Sequence, residues 1–235
     1  MLTRLALQSG AYLASLASVP EPLRWSGEKI EESMRQTLAA RAEHDDFWLF
    51  GYGSLIWNPS MEHAEQRAAK LDGWHRSFCQ RLVGGRAAVD SPGRMLGLVE
   101  GGHTDGMAYR LPAATLSEEL RLVWIREMAM GAYRPIWAPI EFADGSRTAC
   151  VVFVADDSHP LHEHDACVET VAPLIARASG PWGSNADYVF RLAAALLQAG
   201  MRDAYVAAVA ARVWQRVRQL AQLGTAAGAA PASLA

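Results

Sequence analysis

Phe47-Trp48-Leu49-Phe50-Gly51-Tyr52-Gly53-Ser54-Leu55-Ile56-Trp57-Asn58-Pro59 is the most informative stretch of this 235-residue chain. Phe47 to Phe50 is an uninterrupted bulky run of the kind a buried strand favours. It runs into Gly51 and Gly53, and Pro59 closes the segment. Two glycines one residue apart permit positive φ and let a ligand approach the backbone closely. Consecutive N–H groups in such a turn form a concave donor site for a carboxylate or an oxyanion. Taken alone, Gly51 to Leu55 reads equally well as a substrate cradle or as a bulged strand in a sheet core.

Composition bounds the rest. Hydrophobic residues make up 51% and charged residues 20%, ordinary for a globular protein of one large or two small domains. A formal charge of −3, with 22 Lys and Arg spread along the chain, gives no global attraction for nucleic acid. No apolar run approaches the roughly 20 residues that span a bilayer. Cys79, Cys150 and Cys167 are odd in number and lack framework spacing, which favours a reducing cytoplasm. The apolar stretch Ala11 to Ala17 follows Gln8, Ser9 and Gly10, too broken for a secretory signal. The expected location is cytoplasmic.

Residues 1–46 read as a helical N-terminal extension, with Ile30, Met34, Leu38 and Ala42 forming an apolar stripe along Glu28 to Glu43. Residues 47–220 form the body and 221–235 a flexible tail. Phe47 to Ile56 begins the strand-rich part, and strands are expected to follow at Ala68–Leu71, Ser77–Leu82, Arg94–Val99, Gly106–Leu111, Ile136–Phe142 and Thr148–Ala155. A helix is expected from Thr115 to Met130, entered by Pro112 and capped by Gly131. Cys167–Arg177 reads as one helix and Ala186–Leu220 as one long helix or two shorter ones hinged near Gly200, with a loop at Gly180–Ser184. Strands around one internal helix, then flanking helices, give the α+β class.

Three groups of residues invite chemistry. Glu127 falls in the last turn of the internal helix, where unsatisfied carbonyls disfavour a negative charge, and Trp124, Met128 and Met130 add desolvation. Both effects raise its pKa toward that of a general base. A solvated helix residue paired with an arginine is the plainer reading. His159, His162, His164 and Cys167 include zinc-ligand types, but their spacing fits no zinc framework and the segment also reads as a polar surface loop. Ser54 lacks the second glycine of a nucleophile elbow and no lysine follows for a phosphate loop, so it reads as a hydrogen-bonding wall. Cys79 reads as an inert core thiol.

Phe50-Gly51-Tyr52-Gly53-Ser54-Leu55-Ile56-Trp57 resembles the signature of the ChaC-type γ-glutamylcyclotransferases. Arg126-Glu127-Met128 with Gly131, Tyr133, Arg134 and Pro135 resembles the family's helix-end block, whose glutamate is catalytic. Gly106-Met107-Ala108-Tyr109-Arg110 and Gly180-Pro181-x-Gly183-x-Asn185-x-x-Tyr188 match two further blocks in the same order. The resemblance covers residues 47 to about 200. One loop departs from it: where the family carries a run like Arg-Gly-Thr-Pro-Glu, this chain has Arg86-Ala87-Ala88-Val89-Asp90-Ser91.

The resemblance implies a mixed β-barrel with flanking helices and cleavage of glutathione to 5-oxoproline and Cys-Gly. In that reaction the substrate's α-amine attacks its own γ-carbonyl, so no metal or cofactor is called for. Glu127 is the expected base and then acid. Tyr52, Gly53, Ser54 and Leu55 are the expected binding turn, with Tyr133 and Tyr188 as hydroxyl partners. Arg81, Arg86 and Arg134 are candidates for the glycine carboxylate. The expected partner is a small molecule, with no nucleic acid and no membrane. The alternatives are another γ-glutamyl peptide or amine as substrate, a non-catalytic binding or regulatory module of the same fold, and a zinc hydrolase built on the histidine loop.

Overall fold

The computed structural model describes residues 2–40 and 46–228, without side chains for 224–228. The N-terminal segment contains α1 (Arg4–Gln8), α2 (Ala11–Ala14) and α3 (Gly27–Ala39). Then come β1 (Phe47–Gly51), β2 (Glu65–Leu82), β3 (Gly93–Leu111), α4 (Leu116–Met128), β4 (Tyr133–Phe142) and β5 (Arg147–Ala155). The last part holds α5 (Val168–Arg177), a hairpin of β6 (Ser179–Gly180) and β7 (Gly183–Ser184), α6 (Asn185–Gln198) and α7 (Ala204–Gly228).

The five long strands close into a barrel in the order β1-β3-β2-β4-β5. Neighbours are antiparallel except at the seam, where β1 meets β5 in parallel at Leu49 and Val151. Every residue of β1 is buried. Phe47 and Leu49 pack with Trp124 and Val123 of α4, whereas Trp48 and Phe50 join the core shared with α5, α6 and α7. Helices cover both faces of this strand, which is why its sequence is apolar without alternation.

Two pairs of expected strands are single elements. Ala68–Leu71 and Ser77–Leu82 are parts of β2, and Arg94–Val99 and Gly106–Leu111 are parts of β3. Gly73 in β2 (φ 84°), and Gly101 and Gly102 in β3 (φ 110° and 65°), look like turn signals in sequence. They sit instead at the register shift between Asp72 and Trp74, bending the ribbon without ending it. Gly131 (φ 62°) caps α4 as expected, its N–H donating to the Met128 carbonyl at 3.0 Å. Gly200 (φ 70°) separates α6 from α7. The tail expected from residue 221 is helical to Gly228. Residues 41–43 of the predicted N-terminal helix and 229–235 lie outside the described residues.

Candidate active site

Seven residues picked from the sequence, Tyr52, Gly53, Ser54, Leu55, Glu127, Tyr133 and Tyr188, line one cavity of about 210 Å³. The chain leaves β1 at Gly51 and turns through a short 3-10 helix, Ser54–Ile56. The N–H groups of Gly53, Ser54 and Leu55 precede that turn's own bonds, the position where a helical turn leaves donors unpaired. Of the two uses expected of these glycines, positive φ and close approach, the structure uses close approach, here of the protein's own side chains. A Cβ on Gly51 would lie 2.8 Å from the Leu55 Cβ, and one on Gly53 would lie 3.0 Å from the Tyr188 hydroxyl. Gly53 itself has φ −124°.

Ser54 Oγ accepts from Arg126 Nη2 at 2.7 Å, which fixes the hydroxyl against the arginine and leaves its own O–H to donate. Leu55 points away into the α3/α4 core, and its carbonyl accepts from the Tyr109 hydroxyl at 2.8 Å. The Tyr52 and Tyr133 hydroxyls donate to the carbonyls of Phe153 and Leu96 at 2.7 and 2.6 Å. Their protons are used, and their oxygens remain as acceptors. Burial pushes both phenols well above the ordinary range, as it does Tyr188, so all three are neutral.

Glu127 is the titratable centre. Its carboxylate Oε1 lies 3.1 Å from Arg126 Nε, and its side chain is 18% exposed. Burial raises its pKa, and the attraction and hydrogen bond of Arg126 oppose the rise without cancelling it. The direction agrees with the sequence reading, and so does desolvation, one of its two expected causes; the other, unsatisfied helix-end carbonyls, does not. Tyr12 donates to the Arg126 carbonyl, Gly131 to that of Met128 and Trp25 to that of Ala129, so these helix-end carbonyls are satisfied. Of the three expected apolar neighbours, only Met130 lines the cavity. Trp124 packs against Phe153 with centroids 5.0 Å apart, in the α3/α4 core that also holds Met128.

Arg126 ties the parts together. Its guanidinium also donates to the Asn58 carbonyl and, at 2.8 Å, to Ser60 Oγ, joining α4 to the turn after β1. Arg76 does the same from β2, donating to the Tyr52 carbonyl at 2.8 Å while pairing with Asp203 at 3.0 Å. The four sequence blocks meet around this turn. Gly106 leaves room for the Phe50 ring, which a Cβ would meet at 2.5 Å. Buried Asn185 accepts from the Arg94 N–H at 2.8 Å, joining the last block to the start of β3.

Among the arginine candidates, Arg81 and Arg86 line the cavity and Arg134 does not. Arg86 donates to the Ser184 carbonyl at 3.0 Å. The histidine loop does not converge on one point. His159 Nδ1 accepts from the Leu161 N–H, Cys167 bonds to Thr170, and His162 and His164 stack edge-on with centroids 5.0 Å apart. Among the described residues, no three His, Cys, Asp or Glu side chains are grouped to hold an ion. Cys79 is buried, its thiol pushed up to about 11, in keeping with an inert core role. Sequence reasoning missed Gln80, Trp182, Tyr12 and Leu16, which also line the cavity. Trp182 lay inside a recognised block; Tyr12 and Leu16 carried no signal.

The model of the family described as ChaC-like protein matches residues 47–216. The chain belongs to the ChaC-like family. It is 46% identical over 203 residues to the glutathione-specific gamma-glutamylcyclotransferase of Escherichia coli K12, covering 86% of this chain and 88% of that protein. A human relative, glutathione-specific gamma-glutamylcyclotransferase 1, is 30% identical over 168 residues, covering 69% and 76%. The fold of this ChaC-like chain is that of the yeast gamma-glutamylcyclotransferase specific to glutathione. The TM-score is 0.69 at 20% identity, over 74% of this chain and 99% of the yeast one.

Proposed function

We propose that this chain is a glutathione-specific γ-glutamylcyclotransferase. The observation that carries the reading is a largely buried glutamate, with raised proton affinity, in the same cavity as a turn whose Gly53, Ser54 and Leu55 N–H groups precede the turn's own hydrogen bonds. The relatives' names supply the substrate.

The reaction is an internal aminolysis. The α-amine nitrogen attacks the γ-carbonyl carbon, a five-membered lactam forms, and the bond to the cysteinyl nitrogen breaks. Glu127 takes one proton from the substrate's ammonium to free the attacking amine and returns it to the departing nitrogen. The second proton that the attacking nitrogen sheds on becoming the lactam N–H follows to the released amine, which leaves as the Cys-Gly ammonium, so protons balance and the enzyme ends unchanged. A carboxylate of ordinary pKa is a poor acceptor from an ammonium; burial narrows that gap. The N–H groups of Gly53 to Leu55 bind the oxyanion that develops as the amine attacks, or the α-carboxylate. Holding amine and carbonyl in contact is worth up to about 7–11 kcal/mol in oriented intramolecular reactions. Tyr52, Tyr133 and Tyr188, neutral and fixed, bound the cavity and offer phenol oxygens to the substrate's ammonium.

We place the protein in the cytoplasm: the three cysteines are free, and no helix among the described residues is long and apolar enough to cross a membrane. The test is incubation of the purified protein with glutathione, followed by quantification of 5-oxoproline and Cys-Gly. Equimolar products are expected. Free glutamate in place of 5-oxoproline would mean hydrolysis and sink the reading. Turnover of other γ-glutamyl peptides with glutathione untouched would move the substrate assignment, the departure at Arg86–Ser91 being the feature that favours it.

A further inference from the structure

The proposed chemistry leaves one wall of the cavity without a role. Leu2, Tyr12 and Leu16 line the same space as Glu127, and all come from the N-terminal segment. The Tyr12 ring stacks on Trp182, centroids 5.2 Å apart and planes 30° apart. Trp182 in turn covers Gly85, where a Cβ would lie 2.4 Å from its ring. Val19 lies against Gly84, 2.7 Å from the place of a Cβ.

The segment is held at several points, each on an element of the site. Arg4 donates twice to buried Glu119 of α4, at 2.6 and 2.7 Å, and Glu119 also accepts the Glu62 N–H at 2.9 Å. Asn58 Nδ2 donates to the Leu2 carbonyl at 2.8 Å, and the Tyr12 hydroxyl donates to the Arg126 carbonyl at 3.0 Å. This wall is uncharged, because burial holds the Tyr12 phenol neutral. It therefore offers nothing to the α-carboxylate and ammonium of a γ-glutamyl group, which the glycine turn and Glu127 serve. What it fits is the less polar departing half, a thiol-bearing side chain and a peptide plane. Flat aromatic surface suits both.

We propose that residues 2–19 form the specificity wall for the departing half of the substrate, with the Tyr12–Trp182 pair as its contact surface. This inference rests on the cyclotransferase reading above. The test compares glutathione with γ-glutamylalanine, whose departing half is smaller, in the full chain and in Tyr12→Ala, Tyr12→Phe and Trp182→Ala. Where γ-glutamylalanine is not turned over, its inhibition constant against glutathione replaces KM.

Tyr12→Ala is expected to raise the glutathione KM about tenfold, the scale of losing one buried aromatic anchor, with kcat within about threefold. The γ-glutamylalanine constant should move less than about twofold, so discrimination shrinks by the difference. Tyr12→Phe keeps the ring and loses only the hydroxyl, and should retain most of the discrimination. Equal rises for both compounds, a fall in kcat alone, or a Tyr12→Phe as impaired as Tyr12→Ala would each overturn the wall. Trp182→Ala removes the same stack from the other side and carries the test if Tyr12→Ala does not fold. Wild-type protein that makes no 5-oxoproline overturns the cyclotransferase reading itself. Normal turnover with unchanged discrimination in both alanine variants overturns only the wall.

Discussion

Glu127→Gln separates the proton-transfer role of this residue from its structural one. The amide occupies the same volume and keeps an oxygen to accept from Arg126 Nε, the ionic partner of Glu127 among the described residues, at 3.1 Å. Arg126 keeps its bonds to Asn58, Ser60 and Ser54, so the turn stays in place. What disappears is the ability to take and return a proton. General base catalysis is typically worth about 10²- to 10⁴-fold, and kcat for 5-oxoproline release should fall by that factor with KM little changed. In the wild type, activity should decline as pH falls through the raised pKa of Glu127, because only the ionised form accepts a proton. Stability gives an independent check. The folded state holds the Glu127 proton more tightly than the unfolded chain, so the stabilisation from that proton is complete at low pH. It is lost as pH rises from the ordinary 4.5 through the folded pKa. The amide lacks this titration. The Tm of Glu127→Gln relative to wild type should therefore rise as pH climbs from below 4.5 through the folded pKa. A variant that releases 5-oxoproline within about tenfold of the wild-type rate would refute the assignment, being short of the base's usual contribution.

Other substitutions test the scaffold of the site. Ser54→Ala removes an acceptor from a buried charged group, worth about 1.5–3 kcal/mol, at about 2–4 °C in Tm per kcal/mol for a domain of this size. A Tm lower by several degrees with activity retained is expected in thermal melts and turnover assays; total loss of activity in a fully folded variant would revive Ser54 as a nucleophile. Gly53→Ala puts a methyl group 3.0 Å from the Tyr188 hydroxyl and should raise the glutathione KM with little change in Tm. Gly51→Ala meets Leu55 Cβ, anchored to the backbone, at 2.8 Å and should cost stability as well. Arg76→Ala strands Asp203 and frees the carbonyls of Tyr52 and Asp105. Breaking a buried pair costs about 3–5 kcal/mol, and the lower end applies because Asp203 is 15% exposed. A Tm fall on the order of 6–12 °C should follow.

The legible and illegible parts of this molecule divide along a physical line. Helix caps and hinges were legible because Gly131 and Gly200 act through their own backbone conformation, which sequence states locally. The same rule misled at Gly73, Gly101 and Gly102, where positive φ bends a strand pair whose continuity is fixed by pairing across β2 and β3. The cavity followed similar logic. Glu127 and the glycine turn stood out because each is a compact motif. The residues whose cover raises its pKa did not, because the cavity around the carboxylate is lined from segments as far apart as Tyr12, Tyr52, Arg81, Leu96, Phe153 and Tyr188. Tyr12 shows the limit most clearly: it lies 114 residues from Arg126, whose carbonyl it binds. No local pattern could announce that bond, yet it satisfies a helix-end carbonyl that the sequence reading counted as free. Removing that carbonyl from the account leaves burial as the force that raises Glu127. The N-terminal segment and Glu127 are therefore linked: Leu2, Tyr12 and Leu16 line the same cavity as the carboxylate.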